Sequence, residues 1–120
     1  MLLVDDEAPL LAATAEVLSR LGYQPASFSD GHAALAAFEA APGQFDVVVT
    51  DEVMPGLTGT GLASALRRHR PDLPIVLVSG YSGPLLTQQA LAAGVSEQLT
   101  KPLQSREIAT TLARVLHRMA

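Results

Sequence analysis

Short runs of apolar, largely β-branched residues recur along this chain, separated by longer stretches with helical spacing. The runs Val47-Val48-Val49 and Ile75-Val76-Leu77-Val78 are apolar at every position and do not alternate with polar residues. Such runs are typical of parallel strands, because helices cover a parallel sheet on both faces. The feature therefore favours an α/β fold built on a buried parallel sheet.

Strand and helix patterns alternate from one end of the chain to the other. The strands are predicted at 2–4, 23–28, 45–50, 75–79 and 97–100, and the helices at 9–21, 31–41, 59–70, 84–93 and 104–119. Repeats of this kind predict a doubly wound parallel sheet with strand order 2-1-3-4-5, and not a closed barrel. We expect residues 1–120 to form a single domain.

The composition limits the function classes. Eight Lys and Arg against twelve Asp and Glu give a net charge of −4, which argues against a nucleic-acid interface. The absence of Cys excludes thiolate metal sites and Cys nucleophiles, and no apolar run reaches the roughly 18 residues of a membrane span. The basic run Arg67-Arg68-His69-Arg70 is interpreted as a solvated helix end. We expect a cytoplasmic domain that contacts neither nucleic acid nor membrane.

Polar residues lie directly at the ends of four predicted strands. Asp5 and Asp6 follow the first strand, Asp51 follows the third, Ser79 ends the fourth and Lys101 follows the fifth. In a doubly wound sheet, ligands bind beyond the carboxyl ends of the strands, near the point where the strand order reverses. We therefore expect these side chains to converge in one crevice.

The charges of this crevice indicate its chemistry. Three carboxylates and one ammonium leave a net charge of −2, which favours entry of Mg²⁺, or Mn²⁺ in its place. A phosphoryl group adds about two negative charges, which the metal and Lys101 would offset. Ser79 can donate a hydrogen bond to a phosphoryl oxygen, and an Asp carboxylate can form an acyl-phosphate. The pattern predicts phosphoryl transfer.

Four segments around the strand ends carry a family resemblance. They are Leu2-Leu3-Val4-Asp5-Asp6-Glu7, Val49-Thr50-Asp51-Glu52-Val53-Met54-Pro55-Gly56, Val78-Ser79-Gly80-Tyr81 and Leu99-Thr100-Lys101-Pro102. In order and spacing they resemble the receiver domain of bacterial two-component response regulators, over essentially the whole chain. The resemblance implies a flavodoxin-like (βα)5 fold. It also implies a partner, a histidine kinase or histidine phosphotransfer domain, that donates a phosphoryl group from phosphohistidine.

The resemblance also implies roles for individual residues. Asp51 is the phosphoacceptor, Lys101 contacts the phosphoryl group, and Ser79 is the switch hydroxyl where Thr is commoner. Pro102 follows Lys101 through a cis peptide bond in the family pattern. Phosphorylation is expected to shift the surface formed by the fourth helix, fifth strand and fifth helix between inactive and active states.

The implied metal ligands come from two strand ends. Asp6, a carboxylate oxygen of Asp51 and the backbone carbonyl of Val53 would bind Mg²⁺ directly, and Asp5 would act through a water molecule. An apolar side chain at position 53 is no obstacle, since the ligand there is main chain.

The chain departs from the family pattern on its fifth strand. Gln98 stands where the family usually has an aromatic residue, so the ring that commonly turns inward with the switch hydroxyl is missing. Tyr81 is not its equivalent. Val53 and Tyr81, each two residues after a site residue, are predicted to flank the acyl-phosphate and to tune its hydrolysis.

Two other functions remain open. Haloacid-dehalogenase-like phosphohydrolases place a second Asp two residues after the nucleophile, where this chain has Val53. A degenerate receiver that only binds a partner should have lost an acidic site residue or the Lys, and this chain has lost neither. We expect a self-phosphorylating acceptor with autophosphatase activity, as a monomer or weak dimer, and not a turnover enzyme.

The chain begins shortly before Asp5 and ends within the last helical pattern, so we expect a domain excised from a longer parent. The segments around Asp51 and Ser79 are most similar to the C-terminal receivers of hybrid sensor histidine kinases. A stand-alone regulator and a transcription regulator without its output domain are the other expectations.

Overall fold

A computed structural model of the protein describes residues 1–117, in which strands and helices alternate. The elements are β1 Leu2–Val4, α1 Ala8–Arg20, β2 Ala26–Phe28, α2 Gly31–Ala40, β3 Val48–Asp51, α3 Gly59–His69, β4 Ile75–Ser79, α4 Pro84–Ala93, β5 Glu97–Thr100 and α5 Ser105–His117. The strands form one parallel sheet in the predicted order β2-β1-β3-β4-β5. The predicted extension of the last helix to Met119 lies outside the described residues.

Two strands are shorter than their sequence patterns. β2 begins at Ala26 and not at Tyr23, because the amide of Tyr23 still closes the end of α1 by donating to the Leu18 carbonyl over 3.0 Å. β3 begins at Val48 and not at residue 45, since a short 3-10 turn, Pro42–Gln44, occupies the approach to the strand. The predicted helix ends that fall within the described residues differ from the observed ones by at most one residue.

Side chains on the strands divide between two covered faces of the sheet. Leu2, Val48 and Ile75 pack with α2 and α3, whereas Leu3, Val49 and Val76 pack with α1 and α5. Successive side chains of a strand point to opposite faces. The alternation on β3 therefore places Asp51 on the α1 and α5 side and the residue after it on the α3 side.

The basic end of α3 is less solvated than its sequence suggests. Arg67 donates hydrogen bonds to the carbonyls of Pro71, over 2.8 Å, and of Gly94. Arg70 donates to the carbonyl of Phe45. Burial lowers the pKa of Arg67, with the charge of Asp72 acting in the opposite direction. The interpretation of a purely solvated helix end is wrong, because two of these guanidinium groups bind main-chain carbonyls of neighbouring turns.

Among the described residues, none of the helices is both long and apolar enough to span a bilayer.

Candidate functional site

The predicted site residues lie at the carboxyl ends of β1, β3, β4 and β5. Main-chain hydrogen bonds continue the parallel pairing one residue beyond the strands. Glu52 N donates to Val78 O over 2.9 Å, and Lys101 N donates to Ser79 O over 2.7 Å. The positions of the residues at these ends are thus fixed by the sheet itself.

Three carboxylates come together at this edge. One oxygen each from Asp5, Asp6 and Asp51 lies within 4.8 Å of the others. Asp5 and Asp51 are 7% and 5% exposed, whereas Asp6 is open to solvent. Hard oxygen donors at this spacing are the ligand set that Mg²⁺ and Mn²⁺ take in proteins. The residues therefore fit the metal that the sequence implies.

Lys101 forms an ion pair with each of the two buried carboxylates. Its Nζ lies 3.3 Å from Asp51 Oδ1 and 3.5 Å from Asp5 Oδ2. Main-chain amides add further support: Glu52 N donates to Asp51 Oδ1 over 3.0 Å, and Glu7 N donates to Asp5 Oδ1 over 3.0 Å. Each buried carboxylate consequently has one cationic and one amide partner.

Burial and neighbouring charges shift the pKa values of Asp51 and Lys101. Burial raises the pKa of Asp51, and the negative charge of Asp5 adds to the rise, while Lys101 and the Glu52 amide oppose it without cancelling it. Burial alone would lower the pKa of Lys101, but the surrounding carboxylates, Asp51 foremost, outweigh it and raise that pKa. Lys101 is therefore a firmly protonated cation. Asp51 carries its negative charge at a cost that an added cation would reduce.

The hydroxyl of Ser79, the predicted switch residue, is buried and hydrogen-bonded. Ser79 is fully buried at the end of β4, and its hydroxyl donates to the carbonyl oxygen of Tyr81. The side chains of Tyr81 and Val53 are 49% and 60% exposed, each two residues beyond a predicted site residue. The residues predicted to tune hydrolysis are thus accessible on the surface.

Gln98 lies on β5, and Pro102 lies two residues beyond the end of that strand. Gln98 is half-buried and lies in register with Leu77 on β4. The peptide bond between Lys101 and Pro102 is cis.

A cleft of about 600 Å³ opens beside the acidic residues. Asp51, Lys101 and the apolar residues Leu10 and Leu103 line it, together with polar residues such as Thr14 and Gln104. The cleft therefore borders the phosphoacceptor candidate on the α1 and α5 side of the sheet.

Glu52 is a site neighbour for which we predicted no role. It is buried, 5% exposed, and its carboxylate accepts hydrogen bonds from Thr60 at the start of α3. Its position directly after a buried strand is the sequence feature that could have indicated a structural role, since a buried carboxylate needs hydrogen-bond donors.

Comparison with known proteins agrees with this geometry. Residues 1–113 match the family model of the response regulator receiver domain. The chain is 32% identical over 118 residues both to the sensory transduction protein RegX3 of Mycobacterium tuberculosis and to the sensor kinase CckA of Brucella abortus. The solved structure of the chemotaxis protein CheY4 of Vibrio cholerae has 31% identity and a TM-score of 0.89, covering 95% of each chain.

The two sequence relatives are longer proteins. The match covers 98% of this chain in both cases, but only 51% of RegX3 and 12% of CckA. The likeness therefore concerns one domain within each of them. With the family match, the strand order and the placement of the strand-end residues in agreement, the chain belongs to the response regulator receiver domain family.

Proposed function

We propose that this domain accepts a phosphoryl group on Asp51 from the phosphohistidine of a histidine kinase or histidine phosphotransfer domain. The observation that carries the proposal is the contact of Lys101 with Asp51, beside two further carboxylates at the end of a buried strand. An isolated buried carboxylate would be protonated or paired for structural reasons alone. A buried carboxylate with a cation and two acidic neighbours suits phosphoryl transfer.

The transfer step uses residues that already lie in place. A carboxylate oxygen of Asp51 forms a bond to phosphorus as the bond between phosphorus and the donor's imidazole nitrogen breaks, and the electron pair leaves with the imidazole. The product is an acyl-phosphate on Asp51, a known type of carboxylate intermediate. Lys101, 3.3 Å from Asp51 Oδ1, is close enough to contact the phosphoryl oxygens and to offset their charge.

The proposed metal ligands are Asp6, Asp51 and the backbone carbonyl of Val53, with Asp5 acting through a water molecule. Asp6 is exposed, whereas Asp5 is already bound to Lys101 and to the Glu7 amide, which supports the division between direct and indirect ligation. When bound, Mg²⁺ would supply positive charge that offsets the carboxylates and the incoming phosphoryl group.

The switch is proposed to start at Ser79. Its hydroxyl donates to the Tyr81 carbonyl in the unphosphorylated protein, and a phosphoryl oxygen on Asp51 would compete for the same proton. Movement of Ser79 would release the loop between β4 and α4 and shift the population of the surface formed by α4, β5 and α5. Gln98 has no aromatic ring that could turn inward with Ser79. We therefore propose that the conformational change begins with the hydrogen bond between Ser79 and Tyr81.

We propose that the domain belongs to a hybrid histidine kinase. A sensor kinase and a sensory transduction protein both contain a domain similar to this one.

A phosphohydrolase is the second candidate function, but Val53 occupies the position where those enzymes have their acid or base. We further propose a cytoplasmic domain that is a monomer or weak dimer.

Incubation with Mg²⁺ and acetyl phosphate should add one phosphoryl group to the wild-type domain, measured by intact mass. Asp51→Asn should abolish the adduct, because the amide cannot attack phosphorus. Asp46→Asn, which changes an exposed carboxylate, is the matched control and should label normally. Labelling of the Asp51→Asn variant, or labelling that persists in EDTA, would contradict the proposal.

The raised pKa of Asp51 predicts a specific pH dependence of stability in EDTA. The folded protein holds this proton to a higher pH than the unfolded chain does, so Asp51 destabilises the fold increasingly as pH rises above its ordinary pKa of 3.8. Asp51→Asn should therefore raise the free energy of unfolding at pH 7, and the gain should shrink toward pH 3.5, as followed by urea denaturation. An increase in the free energy of unfolding that does not change with pH would contradict the raised pKa of Asp51.

The side chains of Val53 and Tyr81 are expected to influence the lifetime of the acyl-phosphate. Removing both, in the Val53→Ala/Tyr81→Ala variant, should open the site to water and shorten the half-life by a factor on the order of three. The decay of the phosphorylated mass after removal of acetyl phosphate measures this. Leu85→Ala, at an exposed residue of α4, is the control. An unchanged half-life in the double variant would rule out the tuning role.

A further inference from the structure

Glu52 links the end of β3 to the beginning of α3. Its Oε1 accepts a hydrogen bond from the Thr60 amide over 2.7 Å, and its Oε2 accepts one from the Thr60 hydroxyl over 3.2 Å. Both oxygens of a carboxylate that is 5% exposed are thereby partnered. The negative charge also lies at the amino end of a helix, where the helix dipole favours it.

The main chain makes the same connection. Gly59 N donates to the Glu52 carbonyl over 3.0 Å. A Cβ atom at Gly59 would lie 2.3 Å from the carbonyl oxygen of Asp51, a distance that no side chain tolerates. The first turn of α3 therefore rests directly on the backbone of Asp51 and Glu52, and glycine is required at the point of contact.

Asp51 and Glu52 point to opposite sides of the sheet. Asp51 joins the carboxylates and Lys101 on the α1 and α5 side, and Glu52 binds α3 on the other side. Glu52 and Thr60 also fix the two ends of the segment 53–58, which begins with Val53. The contact thus closes a short loop whose first carbonyl is a proposed metal ligand.

We propose that Glu52 is a positioning residue of the acceptor site, which holds the segment 53–58 so that the Val53 carbonyl is presented to the metal. This inference rests on the proposed function of Asp51 and extends it. A helix cap that served stability alone would leave the metal affinity of the folded protein unchanged. A positioning residue changes that affinity, as residues that orient metal ligands commonly do.

Calorimetric titration of the folded, metal-free domain with Mg²⁺ separates these roles. Glu52→Ala should weaken the Mg²⁺ affinity by about ten-fold. Glu52→Gln should stay within about two-fold of wild type, because its amide can accept from the Thr60 N–H and donate to the Thr60 hydroxyl. Thr60→Val, which removes the hydroxyl contacts with Glu52 and Thr58 but keeps the amide contact with Glu52, should weaken the affinity by about two- to three-fold.

Arg70→Ala is the control for a loss of stability alone. Arg70 donates hydrogen bonds to the carbonyls of Pro42 and Phe45, so this variant also removes contacts that hold α3, but at the carboxyl end of the helix, opposite to Thr60. It should lower the unfolding midpoint while leaving the Mg²⁺ affinity unchanged. An Mg²⁺ affinity that tracks the loss of stability equally in both variants would overturn the positioning role.

A second readout needs no metal. Amide hydrogen exchange of residues 53–60 should accelerate in Glu52→Ala and not in Arg70→Ala, since only the former removes a contact at the end of this segment. If Glu52→Ala fails to fold, wild-type Mg²⁺ affinity and exchange in Thr60→Val overturn the inference. Absence of Mg²⁺ binding by the wild type would instead refute the proposed function, and the exchange data would still decide the role of Glu52.

Discussion

The ion pairs of Lys101 with Asp5 and Asp51 hold the other site residues together. Three carboxylates with oxygens within 4.8 Å of one another repel, and two of them, Asp5 and Asp51, are removed from water. The Lys101 ammonium lies between those two and reduces the repulsion. Burial is the main cause of the raised pKa of Asp51, and the charge of Asp5 adds to it, while Lys101 offsets only part of the rise.

The ion pairs of Lys101 require the parallel sheet. Lys101 reaches Asp51 because β5 is aligned with β4 and β4 with β3, and the pairing continues through the Lys101 amide to Ser79. Because side chains alternate along a strand, Asp51 and Glu52 point to opposite faces of the sheet and contact different partners. Asp51 faces the cation and the cleft, while Glu52 binds the first turn of α3.

The fold and the convergence of the site residues could be predicted because both follow from local patterns. Apolar runs indicate buried parallel strands, and polar residues directly after such strands must meet at one edge of the sheet. The role of Glu52 could not be predicted, since it depends on how closely α3 approaches β3. The hydrogen bonds from Ser79 to the Tyr81 carbonyl and from Arg67 to the carbonyls of Pro71 and Gly94 also could not be predicted, because they depend on loop conformation, which residue spacing does not determine.

We propose that a phosphoryl group on Asp51 draws the Ser79 hydroxyl away from the Tyr81 carbonyl. The most direct test is a crystal structure of the domain with Mg²⁺ and beryllofluoride, a stable mimic of the phosphoryl group. We expect beryllofluoride to be bonded to a carboxylate oxygen of Asp51, with Lys101 and the Ser79 hydroxyl both contacting its fluorine atoms. Beryllofluoride bound elsewhere, or a Ser79 hydroxyl still donating to Tyr81 beside a modified Asp51, would contradict this proposal.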